Sequence, residues 1–257
     1  MHSPHHASFW IALLVGIASG SVGPFILLRR MALVGDALSH VALPGIALAL
    51  VYGLDPFYGV VFFLVVAAFL IFWLEGRSRI PPDAIVGLLF TASLAIGILI
   101  IPNADIIESL FGTFPVLSLP FLLVILTIAV VLSVLCFVLA RRFVFLIVSP
   151  DLAQVHGLGR HYNLALLLVF AMIVALGIKL VGTLLMGALT IIPASIAKNV
   201  SRSMRGYVIV SSLLGGAISV VGVWMADAFG FVPGPAIILL GVSLFLLSLV
   251  IGRKKAM

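Results

Sequence analysis

Asp36 and His40 are the residues of this sequence whose types and spacing most clearly suggest chemistry. They lie four residues apart in an otherwise apolar stretch between Arg29 and Gly45. On a helix this spacing places both side chains on one face. A carboxylate and an imidazole are ligands that intermediate divalent metals prefer. The pair therefore predicts a metal site, although a capping aspartate and a satisfied core histidine would explain the same two residues.

The composition of the whole chain favours the functional interpretation of this pair. Of the 257 residues, 64% are hydrophobic and only 9% are charged, and the mean hydropathy is +1.40. A soluble domain of this length does not have such a composition, so the chain is predicted to be a membrane protein. An ionisable residue at membrane depth is costly and is by default functional, facing the protein interior or an aqueous path.

The charge pattern points to a lipid bilayer and not to nucleic acid. The net charge is +6, but the basic residues form short clusters between apolar runs, which is typical of membrane topology and of contact with anionic headgroups. No nucleic acid partner is therefore predicted. Cys136 is the only cysteine and lies in an apolar run. Neither an intramolecular disulfide nor a cysteine metal site is possible in one chain.

The hydrophobic pattern predicts an all-α, polytopic transmembrane helical bundle with about 8–9 spans. The count is eight if the region around residues 179–197 forms one broken element with its neighbour. Residues 102–118 are too polar to span and are predicted to form a loop or a re-entrant segment. The nine predicted segments are residues 9–28, 31–52, 57–74, 85–101, 119–140, 163–178, 180–197, 207–226 and 236–251.

We expect one transmembrane domain over residues 9–252, between two short tails. Residues 1–8 include three histidines and are predicted to form a flexible tail. Residues 253–257 form a basic tail. If the chain begins outside, all basic clusters fall on the cytoplasmic side, and of the 14 Lys and Arg residues only Lys179 falls elsewhere. The positive-inside rule thus predicts an external N-terminus and a cytoplasmic C-terminus.

Three further residues, Pro44, Gly45 and Lys179, are candidates for the pathway or the gate. Pro44-Gly45 is predicted to break or kink the second span, and broken helices in transporters expose backbone groups that line the substrate path. Lys179 is a charge inside an apolar region.

The connection at residues 141–162 contains Ser149-Pro150-Asp151 and, a few residues later, Gly157. This pattern predicts a short capped helix on the cytoplasmic side. The sequence has no G-x-x-x-x-G-K-[ST] phosphate loop, so we expect no ATP hydrolysis by this chain.

Three stretches of the chain resemble the membrane permease subunits of bacterial zinc, manganese and iron ABC importers. The similarity to this family covers nearly the whole sequence. The first is the most specific. They are Arg30-Met31-Ala32 with Gly35-Asp36-Ala37-Leu38-Ser39-His40 and Leu43-Pro44-Gly45; Ser149-Pro150-Asp151-Leu152-Ala153 with Gly157; and Val181-Gly182-Thr183-Leu184-Leu185-Met186 with Leu189, Ile192-Pro193-Ala194 and Ala197.

The resemblance implies a permease of the bacterial plasma membrane that is not itself an enzyme. Its implied partners are a cytoplasmic ABC ATPase that binds ATP, an extracytoplasmic metal-binding protein and a second copy of the chain. Asp36 and His40 would line the pathway of this homodimer for transported Zn²⁺, Mn²⁺ or Fe²⁺, with no permanently bound cofactor. The segment at 149–160 would contact the ATPase. Its residues are Pro150, Asp151, Leu152, Ala153, Val155 and Gly157.

An autonomous cation channel or a secondary transporter is the alternative function. It accounts for Asp36 and Lys179 equally well, as charges along an ion path. It gives no reason for a cytoplasmic capped helix between the fifth and sixth spans. Copurification with an ATPase would distinguish the two functions. The absence of cysteine ligands argues against Cu(I), but ligand type alone does not separate zinc, manganese and iron.

Overall fold

Helices form nearly all of the chain that the computed structural model describes, namely residues 4–31, 34–78, 80–100, 119–155, 159–183 and 186–253. No strand occurs within these ranges. The helices in chain order are α1 (Pro4–Leu28), α2 (Val34–Val51), α3 (Pro56–Glu75), α4 (Pro82–Ile100), α5 (Leu119–Val148), α6 (Pro150–Val155), α7 (Arg160–Val181), α8 (Met186–Val200), α9 (Met204–Phe229) and α10 (Pro233–Arg253).

Eight of the helices in these ranges are long and apolar enough to cross a membrane, the exceptions being α6 and α8. The predicted all-α transmembrane bundle is confirmed, at the lower of the two expected span counts. Helix α1 begins at Pro4, before the predicted start of the first span at residue 9, and α5 continues to Val148 instead of ending near residue 140. The predicted loop or re-entrant segment at 102–118 lies outside the described residues, as do residues 254–257.

The seventh predicted segment, residues 180–197, differs most from the structure. Helix α7 continues to Val181, the chain turns at Gly182 with a φ of 81°, and α8 begins only at Met186. A positive φ is readily adopted by glycine, so the break falls where the sequence permits it. Helix α8 has 15 residues. It is therefore about 22 Å long, which is shorter than a hydrocarbon core of about 30 Å.

Small residues bring α1 and α9 into close contact at the centre of the bundle. A Cβ atom added at Gly20 would overlap the carbonyl oxygen of Ser211, and one at Gly16 would overlap that of Gly215. The Ser211 hydroxyl donates a hydrogen bond of 2.6 Å to the carbonyl oxygen of Gly20. Van der Waals contact between the two backbones therefore stabilises the pair, as is typical where small residues line a helix interface.

One end of the bundle, which we call the basic end, gathers helix termini that carry basic clusters. Arg29 Nη2 at the end of α1 lies 3.0 Å from Glu75 Oε1 at the end of α3. Asn163 Nδ2, near the start of α7, donates to Glu75 Oε2 at 2.8 Å. Leu28 packs against a cluster that includes Ala197, near the end of α8. The termini of four helices therefore meet at the same end.

Candidate functional site

Helix α2 carries the candidate site and lies inside the bundle, packed against α3, α4, α7 and α8. Gly45 shows how α2 is positioned along α3, because a Cβ atom at Gly45 would overlap the carbonyl oxygen of Gly59 in α3. From Gly59 to Glu75 the α3 axis rises about 24 Å, and His40 precedes Gly45 by about 8 Å of helix. His40 therefore lies about 16 Å from the level of Glu75, near the middle of a hydrocarbon core of about 30 Å.

A tight turn delivers the chain from α1 into α2. Arg30 adopts a left-handed conformation with a φ of 59°. Its N–H donates to the carbonyl oxygen of Leu27, and the N–H of Met31 donates to that of Ile26, both at 3.2 Å. This is the Schellman pattern that ends a helix, with buried Met31 as its apolar residue. The turn reverses the chain within a few residues, so that α2 begins at Val34.

Asp36 and His40 lie on one face of α2, as predicted, and their side chains approach each other. His40 Nε2 is 3.8 Å from Asp36 Oδ1. Two ligands that each bind one ion at about 2.0–2.2 Å lie at most about 4.4 Å apart, so the observed distance is compatible with a shared ion. The exposed fractions differ strongly, at 8% for the His40 side chain and 47% for that of Asp36. The carboxylate therefore faces a side of α2 that the described residues leave open.

The buried imidazole has one nitrogen without a hydrogen-bond partner. His40 Nδ1 has none among the described residues. The Phe90 ring of α4 lies with its centroid 5.1 Å from that of the imidazole, in an edge-on arrangement. An aromatic wall restricts the rotation of the imidazole, and a buried unpaired nitrogen is costly unless it finds a ligand or water. The His40 imidazole is thus held in one orientation, and its Nδ1 has no hydrogen-bond partner among the described residues.

The first turn of α8 closes against the backbone of Asp36. A Cβ atom added at Gly187 would lie 2.6 Å from the backbone nitrogen of Asp36 and 2.9 Å from its Cα. A Cβ atom added at Gly35 would lie 3.1 Å from the Cα of Gly187. The N-terminal turns of α2 and α8 therefore meet at Asp36, and only glycine permits this approach. The sequence alone does not single out Gly187, because its partner Asp36 is distant in sequence.

Pro44 and Gly45 do not interrupt α2, contrary to the expected break. The helix is continuous from Val34 to Val51, because the tight contact between Gly45 and Gly59 holds the segment against α3. Pro44 still has a chemical consequence. It has no N–H to donate to the carbonyl oxygen of His40, which is the acceptor one turn earlier. The carbonyl oxygen of His40 therefore lacks the hydrogen bond that residue 44 would otherwise donate in a helix.

Within the described part of the chain, no group of three or more His, Cys, Asp or Glu side chains could hold a metal. No third such side chain among those residues therefore joins the Asp36–His40 pair. Lys179 belongs to α7 near its end, and its side chain lies outside the described atoms.

The predicted short helix at the connection is present as α6 (Pro150–Val155). The N–H of Ala153 donates to the carbonyl oxygen of Ser149 at 2.9 Å, and Ala153 is buried. Leu152 is 56% exposed. Gly157 lies outside the described residues. An apolar side chain exposed on a short helix beside the basic end is suited to contact with another protein.

Comparison with known proteins agrees with this architecture. A family model described as the ABC 3 transport family matches residues 3–252. The manganese import system permease protein ScaB of Streptococcus gordonii is 32% identical over 251 residues, which cover 95% of this chain and 90% of that protein. The high-affinity zinc uptake system membrane protein ZnuB of Haemophilus influenzae is 32% identical over 253 residues, which cover 93% and 95% of the two chains.

A solved structure gives the same result at the level of the fold. PsaBC from Streptococcus pneumoniae in complex with Fab has a TM-score of 0.83 and 30% sequence identity to this chain, and the match covers 96% of this chain and 91% of that one. The family model spans nearly the whole sequence, and the eight apolar helices are those of a membrane protein. The chain therefore belongs to the ABC 3 transport family, as a multi-pass permease subunit of the bacterial cytoplasmic membrane.

Proposed function

We propose that this chain is the membrane permease of an importer for divalent transition metal ions, zinc, manganese or iron. The observation that carries the proposal is the Asp36–His40 pair, with 3.8 Å between donor atoms and a position near mid-bundle. Relatives named for manganese import and for zinc uptake support it. Carboxylate and imidazole ligands suit all three ions, and we favour zinc or manganese.

The pathway is proposed to form between two copies of the chain. The Asp36 carboxylate is half exposed although α2 is otherwise mostly buried. A second copy on that side would double the donors to two carboxylates and two imidazoles, enough for a four-coordinate ion. A weak, transient site suits transport, since the ion must also leave. Pro44, Gly45 and Lys179 remain proposed as pathway or gate residues.

The basic end is proposed to face the cytoplasm, which places the N-terminus outside. Cytoplasmic loops carry an excess of Lys and Arg, and Arg29, Arg142 and Arg205 all lie near helix termini at this end. A cytoplasmic ATPase would dock there and bind the ATP. An extracytoplasmic metal-binding protein would deliver the ion at the opposite end. The proposed docking segment is residues 149–160, with Pro150, Asp151, Leu152, Ala153, Val155 and Gly157 as its contact residues.

Leu152→Asp is expected to weaken docking of the ATPase. Because the exposed leucine would enter an apolar groove on the partner, a charge there should reduce copurification of the ATPase by about tenfold or more. Arg202→Gln, an exposed residue near the same end, is the matched control and should copurify normally. Replacing Gly157 with a bulky residue should uncouple ATP hydrolysis from transport. Unchanged stimulation of the ATPase by the loaded binding protein in both variants would disprove the assignment of this segment.

Reconstituted transport tests the function as a whole. Permease, ATPase and binding protein are placed in liposomes, and uptake is measured with Zn²⁺, Mn²⁺ and Fe²⁺ in competition. Uptake should require ATP and should stop when the ATPase lacks its phosphate-loop lysine. Ion flux through the permease alone would instead support the autonomous channel or carrier. Transport of an organic solute only would end the metal proposal and leave Asp36 and His40 as structural residues.

A further inference from the structure

A groove on the membrane-facing side of the bundle is not explained by metal transport. Helices α5 and α9 both pack on α1 and flank a cavity of about 560 Å³, a volume within the usual range of ligand sites. Its apolar walls include Phe137, Ala140 and Val144 of α5 and Val208 and Ile209 of α9. Phe137 is 40% exposed and Ile209 is 48% exposed. The groove is thus open along its length to the surroundings of the bundle.

The dimensions of the groove match one leaflet of a bilayer. Its α5 wall extends from Phe137 to Val148, about 16 Å along the helix axis. Half of a hydrocarbon core is about 15 Å thick. Phe137 lies at the deep end, and Val148 lies at the basic end where α5 terminates. The groove therefore runs parallel to the acyl chains of the leaflet at the basic end.

Two arginines line the groove, and each lies one helical turn nearer the basic end than Phe137 or Ile209. Arg141 lies on α5 and Arg205 in the first turn of α9. Neither has an acidic partner among the residues that the structure describes. Two nearby arginines do have side-chain partners, since Arg142 donates to the Tyr162 hydroxyl at 2.7 Å and Arg29 pairs with Glu75 at 3.0 Å. The long stem of an arginine can lie on apolar surface while its guanidinium reaches the interface.

We propose that this groove binds one anionic phospholipid. An acyl chain would occupy the apolar part between Phe137 and Ile209, and the headgroup phosphate would lie between the guanidinium groups of Arg141 and Arg205. Guanidinium matches phosphate in both charge and geometry. The site is separate from the Asp36–His40 pair on α2. It requires neither metal nor ATPase, so it can fail or hold independently of the transport proposal.

Native mass spectrometry of the full-length chain in detergent tests the site directly. The delipidated protein is titrated with dioleoylphosphatidylglycerol or with dioleoylphosphatidylcholine. We expect the anionic lipid to bind first and with higher affinity. The double substitution Arg141→Gln/Arg205→Gln should lower the affinity for phosphatidylglycerol by about fivefold for each arginine removed and leave phosphatidylcholine unaffected. Lys198→Gln/Arg202→Gln removes two exposed charges from the same end outside the groove and should change neither.

A second type of variant separates the groove from its charges. Ala140→Trp fills the apolar part while both arginines remain, and should also reduce phosphatidylglycerol binding; Ile209→Trp serves if the first variant does not fold. If a tryptophan variant folds and still binds phosphatidylglycerol with unchanged affinity, the proposal is overturned, since the acyl chain would then lie elsewhere. If the Lys198→Gln/Arg202→Gln control loses as much affinity for phosphatidylglycerol, the binding depends on general surface charge and not on the groove. Loss of ATPase capture by the arginine variant, with lipid binding unchanged, would identify a protein contact instead.

Discussion

Asp36→Ala and His40→Ala are each expected to abolish metal-dependent uptake while the protein still inserts into the membrane. The described part of one chain brings together no group of three or more His, Cys, Asp or Glu side chains, and in this pair Nε2 and Oδ1 are 3.8 Å apart. Loss of either leaves too few ligands to replace the water shell of the ion. Changes outside the ligand set commonly cost about 10–100-fold in metal affinity, so removal of a ligand should cost at least about 100-fold in uptake. The measurement is the initial rate of metal uptake in cells whose metal supply depends on this importer.

Two substitutions elsewhere in the chain control for charge and for residue type. Asp83→Asn removes an exposed carboxylate from the first turn of α4, and His161→Ala removes an exposed imidazole near the start of α7. Both should leave uptake near the wild-type rate. Expression and thermal unfolding of all four variants establish that the proteins are folded. Normal uptake in both Asp36→Ala and His40→Ala would exclude the pair from the pathway.

Gly20→Val is expected to disrupt the central packing of the bundle. A Cβ atom at this position would overlap the carbonyl oxygen of Ser211, so α1 and α9 would have to separate. Overpacking of a filled interior commonly costs about 1–3 kcal/mol, and here rigid backbone lies on both sides. The hydrogen bond from Ser211 to Gly20 would be lost as well. Thermal unfolding in detergent should show a clear decrease in the melting temperature and in the yield of monodisperse protein.

Gly87→Val provides the matched control for this substitution. Gly87 also lies in a transmembrane helix, α4, but no heavy atom lies within 4 Å of a Cβ atom added there. Its replacement should leave the melting temperature nearly unchanged. Equal stability of the two variants would mean that α1 and α9 do not pack as closely as described.

Sequence patterns were sufficient for those features that depend on local periodicity. The shared face of Asp36 and His40 follows from their spacing on a helix. The wall formed by Phe90 and the contact between Gly187 and Asp36 were not predictable, because they join helices that are distant in sequence. The unequal exposure of the two ligands likewise depends on which neighbours cover each of them.

Local signals failed where tertiary packing was stronger. Pro44 indicated a break in α2, but the contact of Gly45 with Gly59 keeps the helix continuous. Hydropathy left residues 180–197 either as a ninth segment or as one broken element with its neighbour. The turn at Gly182 shortens this region to α8, in agreement with the second alternative. In both cases glycine allowed an approach or a turn whose outcome a single-sequence pattern does not contain.

The short length of α8 places a helix N-terminus inside the bundle, beside Asp36. The first N–H groups of a helix have no intrahelical acceptors, and an N–H group without any acceptor at membrane depth costs several kcal/mol. We therefore expect water to reach the interruption between α7 and α8. On the proposed pathway, an ion at Asp36 would then exchange its water shell stepwise and would not shed it all at once.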